Sequence, residues 1–413
     1  SVRIPANDGS QQFVVTFHIE DRNDSASIEN FEINIDLEKY VEPATYDCFD
    51  FGVNSDGTTV TLTSFDEDLA DTTDIIIPAT VSQNASGQWA EGNTYTVTSI
   101  GDSAFYGCSG LTSITLPSSL ETIGHGAFYY CSGLTEVDLS NCTSLTTIGS
   151  NAFGDCRGLT CIALPSSLTE IVGATFYNCR ALTEINYNAV SVADLRSSSN
   201  VFYGAGQDGI GITVNFGEGV KTIPSYLFYA GNETSYAPNI KEVNFSSTIT
   251  SIGDWAFNGC SGLTGALDLS NCTSLTTIGS NAFAGCSGLT GALDLSNCTR
   301  LTSIGSNAFA GCSGLTGALD LSNCTRLTSI GDSAFYGCSG LTSVTINQYV
   351  FENAISPSVS SCGALFGNIS SGETVLVPAN LIDDLGLTNF YLDLAFTRSE
   401  TANEDGYYVY TKN

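Results

Sequence analysis

Phenylalanine returns along this chain with a period that leaves few folds open. Phe257, Phe283, Phe309 and Phe335 follow one another at a spacing of 26, and the copies at 261–285 and 287–311 are almost the same sequence. Upstream, Phe105, Phe128, Phe153 and Phe176 continue the series at shorter intervals, Phe202 and Phe228 carry it through a divergent middle, and Phe366 in CGALFGN closes it. A period of this length marks a chain of stacked supersecondary units. One unit cannot cover its own apolar edge, so stability comes from stacking, and both ends need caps with a polar outer face. About eleven coils fit between residues 100 and 370.

Within a copy, Leu134, Val137, Leu139 and Cys142 stand at the spacing L-x-x-L-x-L-x-x-N/C, and Leu111, Ile114 and Leu116 repeat its first part. Alternation in SITLP and EVDLS turns Ile/Val and Leu inward and the residues between them outward, so strands of adjacent coils should form a parallel sheet. The segment DSAFYGC opens with Asp or Ser in N-cap position and ends near Gly. It predicts one helical or 3₁₀ turn that buries Phe and Cys. The expected fold is a β-rich leucine-rich-repeat solenoid, a parallel sheet of short strands with short helical or 3₁₀ turns. The 26-residue copies insert a residue before the strand (LTGALDL) and lengthen the next turn (SNCTSL, SNCTRL), and residues 187–240 are irregular. A local bulge or a binding insertion is expected there.

The flanks read as small β elements that cap both ends. Residues 1–45 hold strand patterns at 11–19 and 31–37, possible parts of a β-sandwich fragment. Residues 46–99 form an N-terminal cap, with strands over 49–63 around Asn54-Ser55-Asp56-Gly57, then IIIP and TYTVTSI. The solenoid spans 100–370. Residues 371–413 form the C-terminal cap, with ETVLVPANLIDDLGL read as strand, Pro and short helix, and YYVYTK as an edge strand.

Charge narrows the partners. Asp and Glu number 43 against 12 Lys and Arg, a formal charge of -31, and no Lys/Arg cluster exists to displace counterions from a phosphate backbone. Nucleic acid is therefore excluded as an expected partner. Anionic membrane is disfavoured for the same reason, and no apolar run approaches the roughly 20 residues that cross a bilayer. The chain opens at Ser1 and contains no Met, as expected if a leader or other segment preceded it; an export signal or lipid anchor would lie outside it. The Lys-poor, Ser/Thr/Asn/Gly-rich surface suits a secreted or cell-surface protein.

The cysteines follow the repeat. Cys108, Cys131, Cys156, Cys179, Cys260, Cys286, Cys312 and Cys338 each stand three residues after a Phe, and Cys142, Cys272, Cys298 and Cys324 occupy the turn after the strand. Each set should form an internal ladder of small apolar side chains, although occasional disulfides stay open. Cys161 precedes inward Ile162 and should face outward, the one thiol to test for reactivity. No C-x-x-C pair is present.

Catalytic chemistry finds little support. Only His18 and His125 exist, in different regions, which rules out a His-rich metal centre and argues against a Ser/His/Asp triad. Phosphate-cradling and zinc-protease motifs are missing, and glycines recur at turn positions. No enzyme activity, cofactor or metal is expected.

The outward strand positions are more informative. Asp138, Asp268, Asp294 and Asp320 lie between the two inward Leu positions, and successive copies of the last three should stack. Carboxylates about 5 Å apart repel by roughly 1 kcal/mol in water, so the row could attract a cation or basic partner. A solvated acidic stripe that keeps the sheet face soluble is the plainer reading, and it outweighs a dedicated Ca²⁺ site. Asn141, Asn271, Asn297 and Asn323 in the following turn are expected to hydrogen-bond neighbouring coils. The candidate binding face comprises Glu136, Asp138, Glu184, Asn186, Glu242, Asn244, Asp268, Asp294 and Asp320.

These coils resemble the BspA-like, or treponemal-type, leucine-rich-repeat family, whose units carry L-x-x-I-x-[LI]-P-x-x-[LV]-x-x-I-G-x-x-A-F-x-x-C. The likeness spans about two thirds of the chain. It implies an exported bacterial surface protein that attaches to host components or other cells through the outward face of its solenoid. Glycan binding is the alternative, and would need Tyr106, Tyr129, Tyr130, Tyr203 and Tyr336 to converge into a platform. A structural scaffold within a larger surface protein is a further one.

Overall fold

A computed structural model of the chain describes residues 2–5, 12–15, 48–69, 73–83, 89, 92–229, 236–347, 349, 374–378, 396–399, 401–404 and 407–412. Its body is a parallel β-solenoid of about nine turns, the nine steps between the ten phenylalanines from Phe105 to Phe335, fewer than the eleven coils expected from the spacing; the closing copy around Phe366 lies outside the described residues.

Each coil has two strand sides and one turn side. On the first side, Ser113–Thr115, Glu136–Asp138, Cys161–Leu164, Glu184–Tyr187, Ile212–Phe216 and Ile240–Asn244 form one parallel sheet with Asp74–Ile76 of the cap. Register is set by the inward residues: Ile114, Val137, Ile162, Ile185, Val214 and Val243 fall into line and are buried. Slipping any strand by one residue would expose that line. On the second side, two-residue strands such as Thr122–Ile123 and Thr147–Ile148 stack in the same way. This ladder breaks after Glu170–Ile171 and resumes at Thr222–Ile223, because the coil containing 188–200 supplies no strand there. The irregularity expected at 187–240 is this missing strand.

The turn side differs from the expected helical or 3₁₀ turn. The N–H groups of Ala104, Tyr106 and Cys108 bond three residues back within their coil, whereas those of Ser103, Phe105 and Gly107 bond forward to His125, Ala127 and Tyr129 of the next. Every second donor leaves the coil, so no helix can propagate. The alternation needs left-handed backbone two residues before and two after each Phe, as at Ser103 (φ 57°) and Gly107 (φ 76°). Asp102, which the N-cap pattern would point at its own turn, instead accepts the N–H of His125 in the next coil at 2.7 Å.

Inside this wall the phenylalanines stack face to face. Neighbouring ring centroids are 4.8 Å apart at Phe105 and Phe128 and 5.4 Å apart at Phe309 and Phe335, and all of these side chains are buried. The N-terminal cap continues the stack with Phe65, 4.8 Å from Phe105. Its strands Phe49–Val53 and Thr59–Phe65 form the expected hairpin, and the second runs parallel to Asn93–Ile100 and joins the second sheet.

At the other end, Thr316–Asp320, Gly340–Thr345 and Thr374–Pro378 are parallel. Tyr407–Lys412 lies antiparallel between Thr374–Pro378 and Phe396–Arg398, so it is an inner strand and not the edge strand its position suggested. Near the N-terminus, Val2–Pro5 pairs with Gln12–Val15. The strand expected over 31–37 and the short helix after Pro378 lie outside the described residues.

Candidate binding face

Strand pairing places the outward residues of the first sheet in two rows. Asp74, Ser113, Glu136, Cys161, Glu184, Thr213 and Glu242 are partners in one. Asp138, Ala163, Asn186, Asn215 and Asn244 are partners in the other. Neither row contains Lys or Arg.

The second row holds an amide ladder. Nδ2 of Asn215 donates to Oδ1 of Asn186 at 2.9 Å, and Nδ2 of Asn244 donates to Oδ1 of Asn215 at 2.8 Å. Asn186 also donates to Glu184 at 3.0 Å and fixes that carboxylate against the ladder. Asn215 was missed as a face residue because it stands in a coil of irregular length, and Asp74 because it precedes the first coil, so the repeat spacing reaches neither. The alternation in TVNF was the available signal for Asn215.

Asp268, Asp294 and Asp320 do not extend these rows as a continuous strand. In the first two coils the inserted Gly265 and Gly291 adopt left-handed φ of 81° and 77°, and only single bridges, Gly265 to Leu289 and Gly291 to Leu315, remain. Asp320 ends the strand Thr316–Asp320, but a register shift follows Gly317. The extra residue therefore produces the expected bulge, and it places Asp268 and Asp294 outside any strand.

Each of these carboxylates has local work. Oδ1 of Asp138, Asp268, Asp294 and Asp320 accepts the N–H of the serine two residues on, at 2.8 to 2.9 Å. The hydroxyls of Ser270 and Ser296 first, and then these N–H groups, lower the pKa of Asp268 and Asp294 below the usual carboxylate range. Ser270 and Ser296 thus stabilise the charged forms, and Asp268 opposes the ionisation of Asp294 only weakly. No grouping of His, Cys, Asp and Glu that could hold a metal occurs among the described residues.

The cysteines behave as the repeat predicts. Those three residues after Phe and those in the strand turn are buried, and the members of both ladders are free thiols. Cys161 is half-buried on the outward face between Glu136 and Glu184. Desolvation first, then those two carboxylates, raise its pKa, so it carries little thiolate. Asn297 donates to the Ser270 carbonyl of the preceding coil at 3.0 Å, the inter-coil bond expected for that position. His125 is exposed and bonds Ser150.

On the turn side, Tyr106, Tyr129 and Tyr130 form one cluster, and Tyr203 stacks between Tyr177 and Tyr236. Tyr336 stands apart, beyond coils that carry Ala284 and Ala310 at the same position.

Residues 93–208 and 221–361 match the family model described as BspA type leucine-rich repeat region, in 6 copies. No curated protein matches the chain. Among solved structures, a leucine-rich repeat protein from Bacteroides capillosus is 33% identical, covering 33% of this chain and 92% of its own, with a TM-score of 0.29. The leucine-rich repeat protein of T. pallidum is 20% identical over 73% of this chain and 91% of its own, with a TM-score of 0.32. A leucine-rich cell surface protein from Faecalibacterium prausnitzii is 20% identical over 75% of this chain and 97% of its own, with a TM-score of 0.34.

Proposed function

Because the chain belongs to the BspA-type leucine-rich-repeat family, we propose that it is an exported, cell-surface adhesion module that holds a host or other cell-surface protein against its outward strand face. Leucine-rich-repeat proteins bind other proteins in general, and no helix among the described residues is long and apolar enough to cross a membrane. The observation that carries the reading is the paired rows of Glu136, Glu184 and Glu242 beside the Asn186, Asn215 and Asn244 ladder.

Parallel strands hold such groups about 4.8 Å apart on a backbone that does not need to be ordered on binding, so the face is preorganised. The carboxylates alternate with Cys161 and Thr213, which spaces them at about 10 Å, near the screening length in physiological salt. Mutual repulsion is therefore small, while their summed field still draws a basic partner toward the sheet. The reading needs no catalytic group, metal or cofactor.

Binding of the intact chain to cultured host cells and to other bacteria, measured at low and high ionic strength, tests it. Binding should weaken with salt and should be lost in the triple variant Glu136→Lys, Glu184→Lys, Glu242→Lys. Undiminished binding by that variant to cells that retain the parent chain would refute the proposal.

A further inference from the structure

Most phenylalanines of the spine are followed by a residue that is at least partly exposed on the turn side. In coils toward the C-terminus this position is Ala284 and Ala310, and there the Phe stacking and turn-side hydrogen bonds are intact. The fold therefore places no demand on the side chain. In the earlier coils the position is Tyr106, Tyr129, Tyr177, Tyr203 and Tyr229. The apparent break at Gly154 is closed by its neighbour, since a Cβ on Gly154 would lie 2.8 Å from Cε2 of Tyr129. The Tyr129 ring occupies that space and covers the coil between Tyr129 and Tyr177.

Two kinds of surface result. Tyr106 and Tyr130 are 56% and 42% exposed, with ring centroids 5.9 Å apart and planes at 85°, so they form an open corner that offers ring faces. Tyr177, Tyr203 and Tyr236 lie nearly parallel, 5.9 and 5.4 Å apart, and turn their faces to one another. That stretch presents ring edges.

Beside the rings stand two Arg residues whose charges are already matched. Arg157 donates through Nε and Nη2 to Asp155 at 3.1 and 2.9 Å, and Arg180 makes a forked contact to Asp208. In a chain of charge -31 the charges beside Tyr177 and Tyr203 are thus paired, whereas Tyr106 borders Asp66, Glu67 and Asp68.

We propose that the turn side of these earlier coils is a second binding surface, separate from the strand face, and that its ligand is a neutral polysaccharide. The apolar C–H face of a pyranose packs on an exposed aromatic face, which the Tyr106 and Tyr130 corner supplies. Sugar hydroxyls find donors and acceptors in the line of phenols and in the paired Arg and Asp groups. A regular polymer suits a regular row of rings, and the paired charges beside Tyr177 and Tyr203 favour an uncharged chain there over the basic partner that suits the strand face.

Affinity electrophoresis of the full chain through gels containing barley β-glucan, xyloglucan, galactomannan or dextran provides the test. At least one of these polymers should retard the protein, to the same degree at low and high ionic strength. Replacing Tyr106→Ala with Tyr130→Gly, or Tyr177→Ala with Tyr203→Ala, should weaken retardation by about tenfold per pair of rings. Equivalent positions in sibling coils already carry Ala or Gly, so these variants should fold, as melting curves would verify. The charge-reversed strand-face variant should be retarded like the parent, which separates this surface from the one above. Free migration in every gel, loss of retardation with salt, or retention by both ring variants would overturn the proposal.

Discussion

The thiol of Cys131 donates to the carbonyl oxygen of Phe105 in the preceding coil at 3.0 Å, and that oxygen also accepts the Cys108 N–H of its own coil. The bond recurs from Cys156 to Phe128 and from Cys312 to Phe283, each at 3.1 Å. Cysteine here is more than a small apolar filler, because its S–H satisfies the second lone pair of a carbonyl that the turn leaves half-used. Replacing Cys312→Ala removes that donor and leaves a small void. It should cost about 1–2 kcal/mol, measured by denaturant unfolding. A neutral outcome would show that the sulfur does nothing beyond filling space.

The same burial makes the solenoid sensitive to alkali. Desolvation pushes Cys142 and Cys298 up to about 11 and Cys108, Cys272, Cys324 and Cys338 up to about 12 from an ordinary value of 9.0. Unfolded thiols release their protons above pH 9 while the folded ones keep theirs. The stabilisation is therefore complete below about pH 9 and is lost as pH rises toward the folded values, by about 1.4 kcal/mol per thiol per pH unit. Thermal melts should fall steeply between pH 9 and 11, and a Tm flat across that window would contradict the burial argument. In native protein near pH 8, a neutral alkylating reagent should reach Cys161 first among the described cysteines.

Tyr187 sits in the inward row below the amide ladder, with its ring 5.4 Å from Phe216 and its hydroxyl buried without a hydrogen-bond partner. Burial alone raises its pKa. An unpaired buried hydroxyl costs about 1–3 kcal/mol, so Tyr187→Phe should raise stability by about 1 kcal/mol and move Tm up by a few degrees. A lower Tm would mean that the hydroxyl has a partner, such as an ordered water.

The spine, the cysteine ladders and the first sheet were legible because they depend only on apolar residues at a fixed spacing. The turn side was not. Asp102, Ser103 and Phe105 read like a helix N-cap, and nothing in that local pattern reveals that alternate N–H groups bond the next coil. Asn215 escaped because its coil has an unusual length. The role of the aspartates was partly visible, since D-L-S repeats at 138–140, 268–270, 294–296 and 320–322. Reading those residues as charge obscured their role as turn acceptors.

That role is separable from charge at Asp294. Asp294→Asn keeps an oxygen that can accept the Ser296 N–H and should change stability by less than about 0.5 kcal/mol, whereas Asp294→Ala loses it and should cost about 1 kcal/mol. Because the folded pKa values of Asp268 and Asp294 are lowered, their contribution is present above the unfolded value and is lost as pH falls through the folded one. Parallel acid titrations of parent and Asp294→Asn should therefore converge at low pH. Divergence there would assign the effect elsewhere.

Left-handed backbone on the turn side gives the last expectation. At the position two before Phe, sibling coils carry Asn151, Asn281 and Asn307, with φ of 54°, 56° and 55°, while Ala174 adopts 60°. Alanine has a Cβ that crowds its own carbonyl in this region and no side chain able to compensate, at a cost of roughly 1 kcal/mol; Asn tolerates it better, and Gly avoids the clash but is freer when unfolded. The backbone cannot relax to a right-handed conformation, because the Ala174 N–H bonds forward to the Ser199 carbonyl and Phe176 bonds to Val201. Ala174→Asn should therefore stabilise the chain by about 0.5–1 kcal/mol, and Ala174→Gly by less. Equal destabilisation by both replacements would show that the methyl group packs more than its backbone strains.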